Sequence, residues 1–254
     1  MVDIHCHLAE KRLEQDLDGV VNEAREKGTT IISCGTDLKN SLRTVEIAEK
    51  FKNVWACVGI HPEEISNLEQ GSKEELRKLL GNEKVVGIGE TGLDYFQGIN
   101  EADKEKQRDL FEMHLQLAEE FSLPVQVHNR GADEDVLKMV SQYRVRGVMH
   151  CFTRGLDFME KCTNIGWYIS FGGLVTYDHN KKMKRVITQV PENRLLLETD
   201  APFSVPRPDT ENVNTPAKVW ITAEAVAKLR GVSTKLLDTS TSKNAGDLFA
   251  KIKI

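Results

Sequence analysis

The sequence predicts an α/β protein, and within that class one (β/α)8 barrel spanning residues 1–254. Three observations carry this. Short apolar or β-branched runs recur along the chain, each followed by a segment of helical periodicity, the pattern of a parallel sheet with helical crossovers. Eight such runs can be read, and no obvious edge strand is among them, which favours closure over an open doubly wound sheet. The length of 254 residues suits a barrel, which takes about 250. The doubly wound alternative finds no support in Gly87-Ile88-Gly89-Glu90, which lacks the rest of a dinucleotide-binding Gly-x-Gly-x-x-Gly turn.

The expected strands are Val2–His5, Thr30–Cys34, Val54–Ile60, Val85–Glu90, Pro124–His128, Gly147–Cys151, Tyr168–Phe171 and Leu195–Asp200. After the first strand, Leu13, Leu17, Val20, Val21 and Ala24 share one face at helical spacing, and Gly28 supplies a stop. Leu110, Phe111, Leu115, Ala118 and Phe121 form a second such face. Near the end, Thr215-Pro216 reads as an N-cap with Pro at the first helical position; a helix follows over Val219 to Leu229, and further turns over Leu236 to Lys251. The Pro-rich stretch from Pro202 to Pro216 is read as a long loop between strand and helix.

Active sites of such barrels lie at the C-terminal ends of the strands, and there the sequence is informative. Strand one ends in His5-Cys6-His7, in which alternation puts both imidazoles on one face. The third ends in Gly59-Ile60-His61-Pro62, the fourth in Glu90, the fifth in His128, the sixth in His150, and the eighth in Glu198-Thr199-Asp200. His-x-His alone is a weak signal. The repetition of a metal-type residue after one apolar strand after another is what predicts a metal centre. His114 and His179 fall in helical segments and are read as bystanders. Imidazoles and carboxylates with no inward thiolate suit Zn, Mn, Fe or Ni. Mg alone prefers an all-oxygen shell, yet Zn, Mn, Mg, Fe and Ni are not distinguishable from sequence. So many ligands exceed one tetrahedral ion, so two divalent ions per chain are expected. Alternation turns Cys6 and Cys151 outward, towards the helices, and not into the site.

Composition narrows the setting. A formal net charge of −5 gives no global positive field to recruit nucleic acid. Five cysteines without a Cys-x-x-Cys pair, an N-terminus without a signal-peptide pattern and the absence of any membrane-length apolar run point to a reduced, cytoplasmic protein with no membrane association. Nothing implies an obligate protein partner.

The segments His5-Cys6-His7, Gly59-Ile60-His61-Pro62, Gly87 to Asp94, Pro124-Val125 with His128, His150-Cys151-Phe152 and Glu198-Thr199-Asp200-Ala201-Pro202, with Asn244-Ala245 and Leu248-Phe249 at the end, resemble the signatures of the TatD-related deoxyribonucleases, in that family's order. The resemblance runs from Asp3 to Phe249. It implies an amidohydrolase-like metal hydrolase on a (β/α)8 barrel in which His5, His7 and Asp200 hold one metal, His128 and His150 the other, and Glu90 bridges them. Asp200 is expected to double as proton acceptor, and Glu198 to orient a ligand histidine. His61, Arg130 and Arg154 are candidates to hold a phosphate oxygen. The chain departs from the family's pattern at Thr153-Arg154-Gly155, and at Arg207 to Glu211, where relatives are basic and this chain is more acidic. The expected substrate is DNA or a small phosphodiester. The alternatives are hydrolysis of an amide or lactone, as in superfamily members that bridge their metals with a modified lysine, and a non-catalytic nucleic-acid scaffold.

Overall fold

The computed structural model describes residues 1–67, 71–96, 98–208 and 212–252. Its strands are β1 (Val2–Cys6), β2 (Thr30–Cys34), β3 (Val54–Val58), β4 (Val85–Asp94), β5 (Val125–Arg130), β6 (Gly147–Met149), β7 (Tyr168–Phe171) and β8 (Leu195–Leu197). Each pairs in parallel with the next, from β1 to β8. The ring closes where Cys6 bridges Ala201 in parallel, with His7 N donating to Ala201 O at 2.7 Å and Asp200 N to His5 O at 2.9 Å. The predicted barrel is therefore the observed one. The surrounding helices are α1 (Lys11–Glu14), α2 (Leu17–Glu26), α3 (Leu38–Lys50), α4 (Ser72–Leu80), α5 (Glu101–Phe121), α6 (Asp133–Val140), α7 (Leu156–Asn164), α8 (Lys181–Ile187), α9 (Val219–Arg230) and α10 (Thr234–Leu248). Among the described residues no helix is long and apolar enough to cross a membrane.

Strand alternation divides the core in two. Ile31, Met149, Ile169, Leu195 and Leu197 join the helix faces in the larger apolar cluster. Their neighbours Ile32, Val148, Tyr168 and Leu196 belong to a second cluster, joined by Leu248 and Phe249 from the end of the chain. The inward register continues past that cluster into polar residues: Gln126 and His128 on β5, His150 after β6, Glu198 and Asp200 after β8. The same two-residue period that fills the bore thus delivers the site.

Several expected boundaries are corrected. The single helix read across Leu13 to Ala24 is two, because Asp16 starts a new one, its Oδ1 accepting from Gly19 N at 3.2 Å. Thr215 makes no side-chain cap; Pro216–Lys218 form a 3-10 turn that leads into α9. β3, β6 and β8 stop short of their predicted ends, whereas β4 runs on beyond Glu90 to Asp94. Cys151 (φ 44°) and Asp200 (φ 57°) take the left-handed conformation, which breaks a ladder. The β4 extension requires Gly92: at φ 131°, any Cβ there would collide with the His128 carbonyl on β5.

His114 is a core residue, whereas His179 is exposed in a turn before α8. On α5, His114 donates from Nδ1 to Leu110 O (2.8 Å) and accepts at Nε2 from Ile60 N (3.1 Å), one residue before His61. Burial holds its pKa down at about 4. The unfolded chain then binds more protons than the folded one between about pH 4 and 6.5. The contribution of His114 is complete above 6.5 and is lost as pH falls towards 4, by up to about 3 kcal/mol. Urea denaturation of wild type and His114→Gln checks this. The stability lost between pH 7 and 4.5 should be smaller in the variant by about 2 kcal/mol, and equal losses in the two proteins would refute it.

Candidate metal centre

β1 brings His5 and His7 to the mouth of the barrel, 3.2 Å apart at their Nε2 atoms. Both are fully or almost fully buried. The opposite nitrogen of each ring faces an acceptor. His7 Nδ1 donates to Cys34 O at 3.1 Å. His5 Nδ1 meets Gln126 Oε1 at 2.8 Å, and the Gln126 amide is oriented by its own donation to Ile4 O at 2.7 Å. These acceptors put the proton on Nδ1 in both rings. Two Nε2 lone pairs then face one another at 3.2 Å, an arrangement that repels unless a cation sits between them.

Glu90 on β4 is the centre of the remaining contacts. Its Oε2 lies 3.4 Å from Nε2 of both His5 and His7. Its Oε1 lies 2.8 Å from His150 Nε2, 3.2 Å from His128 Nδ1 and 3.3 Å from His61 Nε2. Asp200 Oδ1 stands 3.5 Å from His7 Nε2, and Asp200 Oδ2 accepts from Ser204 Oγ at 3.1 Å. Three sets of ligand atoms therefore converge: His5, His7 and Asp200; His5, Glu90 and His150; His61, Glu90 and His128. The donor set fits divalent ions of the Zn, Mn, Fe and Ni kind.

The rings around Glu90 are held from behind. His128 donates from Nε2 to Asp94 Oδ2 at 2.8 Å, leaving Nδ1 for the site. Asp94 is itself fixed by Phe96 N at 2.9 Å. Glu198 is wholly buried; its Oε1 accepts from Cys151 N at 2.6 Å and lies 3.7 Å from His150 Nδ1, too far for a hydrogen bond. His150 Nδ1 and Glu198 Oε2 are buried without partners. His61 is built the other way round. Its Nδ1 accepts from Glu63 N at 3.2 Å, so the proton belongs on Nε2, the atom that faces Glu90.

Electrostatics match this picture. Burial pushes the Glu90 carboxyl up, but the charges of His150 and His61 and hydrogen bonds from His128 and His150 overcome it and hold Glu90 well below the carboxylate range. Burial pulls His7, His128 and His150 down, yet the carboxylates beside them leave all three raised. His5, with burial and the His150 charge both against it, is lowered. Protons and metal ions compete here for the same lone pairs.

The cavity above these atoms measures about 640 Å³ and is lined among others by His7, His61, Glu90, His128, Arg130, His150, Asp200 and Phe203. Of the residues expected at the site, all but His5, Arg154 and Glu198 line it. His5 lies just beneath. Arg154 is held by Asp133, Nε to Oδ1 at 2.8 Å. Cys151 corrects the expectation that it faces the helices: its left-handed backbone turns it onto the cavity wall, although none of the converging sets contains it. Cys6 behaves as expected, wholly buried and packed in the outer cluster.

An eight-stranded parallel barrel with imidazoles and carboxylates gathered at the C-terminal rim defines a metal-dependent hydrolase. Residues 2–250 match the family described as TatD related DNase, and the chain belongs to that family. It is similar to the metal-dependent hydrolase YabD of Bacillus subtilis, 35% identical over 98% of each chain. It is also similar to the 3'-5' ssDNA/RNA exonuclease TatD of Escherichia fergusonii, 30% identical over 98% of each. Among solved structures, the TatD homolog YJJV of Escherichia coli K12 superposes with a TM-score of 0.92 at 28% identity, covering 98% of both chains.

Proposed function

We propose that this chain hydrolyses phosphodiester bonds of nucleic acid with two divalent ions. His5, His7 and Asp200 hold one, His128 and His150 the other, and Glu90 bridges them. The observation that carries the reading is the division of Glu90: Oε2 faces the β1 histidines while Oε1 faces His128 and His150. The similarity to an exonuclease that acts on ssDNA and RNA points to the substrate class. The reduced state of all five cysteines suits a cytoplasmic setting.

When bound, divalent ions supply Lewis acidity, lowering the pKa of a water and neutralising charge on a phosphoryl group. The chain's own residues do the rest. Asp200 is the group that accepts a proton from the attacking water. His61 is read as a donor to a non-bridging phosphate oxygen, because its Nδ1 already accepts from Glu63 N and its Nε2 carries the proton. Arg130 reaches the same cavity with a charge that its neighbour Asp94, 3.9 Å away, engages only loosely. Arg154 must exchange Asp133 for a phosphate to take part. The acidic stretch Asp209–Glu211 lies outside the described residues. Gln126 and Asp94 keep His5 and His128 presenting their free nitrogens; such partners are worth about 10–100-fold in metal affinity.

The amide or lactone reading loses support at β4. Its bridging lysine has no counterpart at the end of β4, since Lys84 precedes the strand and donates from Nζ to Phe51 O and Val54 O, each at 2.9 Å. The decisive experiment strips the protein of metal and reloads it with Mg, Mn, Co or Zn. Each form is then offered single- and double-stranded DNA, RNA, bis(4-nitrophenyl) phosphate, and a panel of amides and lactones. Metal-dependent cleavage of the diesters is the expected result. Turnover of an amide or lactone with none on any diester would reverse the assignment.

A further inference from the structure

We infer that two phenylalanine–arginine pairs at the mouth of the metal site, Phe96 with Arg130 and Phe203 with Arg12, are stacking positions for the nucleobases that flank the scissile phosphate. The inference rests on the nuclease reading above and adds how the substrate is gripped. Phe96 follows β4 and Arg130 ends β5; Phe203 follows β8 and Arg12 lies in the helix after β1. In a ring ordered β1 to β8, those two places stand on opposite sides of the mouth.

Each ring carries a guanidinium over it. The Arg130 Cζ is 3.5 Å from the Phe96 centroid and the Arg12 Cζ is 4.6 Å from that of Phe203. Even so, Phe96 and Phe203 remain 47% and 44% exposed. Of the exposed large hydrophobics among the described residues, these two alone are aromatic, and each carries a guanidinium at the end of a barrel strand or in the segment that follows one. Both positions are joined to the centre. Arg130 and Phe203 line the cavity, and the Phe203 ring stands edge-on to the ligand candidate His7, centroids 5.9 Å apart. Among the described residues Arg12 has no ion pair, so its charge is available to a phosphate.

An aromatic face beside a guanidinium plane is what an unpaired base stacks on, whatever its identity. Two such platforms across the mouth hold one base on each side and leave the phosphate between them, over Glu90 and Asp200. Bases paired in a duplex cannot reach both, so the arrangement selects single strands. It also needs no long basic track, in keeping with the net charge of −5.

The test is a binding measurement on metal-loaded protein. The probe is a short single-stranded, phosphorothioate-linked oligonucleotide carrying 2-aminopurine, whose fluorescence falls on stacking. Wild type should bind it with quenching. Phe96→Leu and Phe203→Leu should each lose quenching and weaken binding about ten-fold, within the range set by alanine substitution at stacked bases. Replacing the base on one side of the scissile phosphate by an abasic site should weaken wild-type binding to the level of one of the two variants, leave that variant unaffected and still weaken the other. Bound metal and Tm, read alongside, separate this from a disturbed fold; where a Leu variant loses metal, Tyr at the same position keeps the aromatic face and should keep wild-type quenching, and its loss of quenching with full metal would count against the inference. Unchanged quenching and affinity in both variants, or losses equal on normal and abasic probes, would overturn the inference. Cleavage of DNA by wild type is scored separately: cleavage with indifferent variants sinks the stacking alone, and stacking without cleavage sinks the nuclease reading alone.

Discussion

Asp200→Asn should lower kcat for a phosphodiester by about 10²–10⁴-fold, the range for removing a general acid–base group. The expectation follows from where the carboxylate sits. Its Oδ1 faces His7 Nε2 at 3.5 Å, its Oδ2 is steered by the Ser204 hydroxyl at 3.1 Å, and its side chain keeps 15% exposure towards the cavity. Burial works against its ionisation, but the His7 hydrogen bond and the charges of His7, His150 and His5 outweigh this and lower its pKa. Asp200 is thus a carboxylate at neutral pH, the form that accepts a proton. Asn keeps the shape and the Ser204 contact but cannot accept a proton. The backbone at φ 57° tolerates Asn as well as Asp, so the fold should survive, with Tm within about 4 °C of wild type. The measurement is steady-state turnover of bis(4-nitrophenyl) phosphate with metal content matched to wild type. Near-normal kcat at full loading would remove Asp200 from the reaction.

The barrel was readable because its signal is local. Ile31/Ile32, Val148/Met149 and Leu195/Leu196/Leu197 divide between the outer and inner clusters by alternation, and the same two-residue spacing leads on to His128, His150 and Asp200. The ligand-type residues were legible for the same reason. Their supports were not. Gln126 stands one pleat below His128 and orients His5, yet a glutamine in a strand carries no metal signature. The partner of His7 is the Cys34 carbonyl, a backbone atom that every residue possesses. Asp94 was hidden because strand four is expected to end at Glu90, whereas Gly92 lets β4 pass beside His128 and reach Asp94. Arg154 looked available because its partner Asp133 belongs to another element, and the turn of Cys151 onto the cavity depends on a positive φ that no neighbouring residue announces.

Glu90→Gln should deplete both metal positions at once. Metal-free protein reloaded in excess Zn or Mn and passed through a desalting column should retain close to two ions per wild-type chain, and well under one per variant chain. The reason is the geometry of a single carboxylate. Its oxygens lie 3.4 Å from His5 and His7 on one side and 2.8–3.2 Å from His150 and His128 on the other. The amide of Gln presents one oxygen and one NH₂, so at least one position loses a donor and meets two protons in its place. In the proposed paired centre the shared negative charge is lost as well, which weakens the other position too. A partner that merely orients a ligand is worth about 10–100-fold in affinity, so a bridging ligand should cost about 100-fold or more at each position. Zn titrations followed by calorimetry would resolve the two events in wild type. Wild-type protein that never exceeds one ion per chain in saturating metal would refute the paired centre. A variant that loses one ion and binds the other with wild-type affinity would show that Glu90 serves one position only.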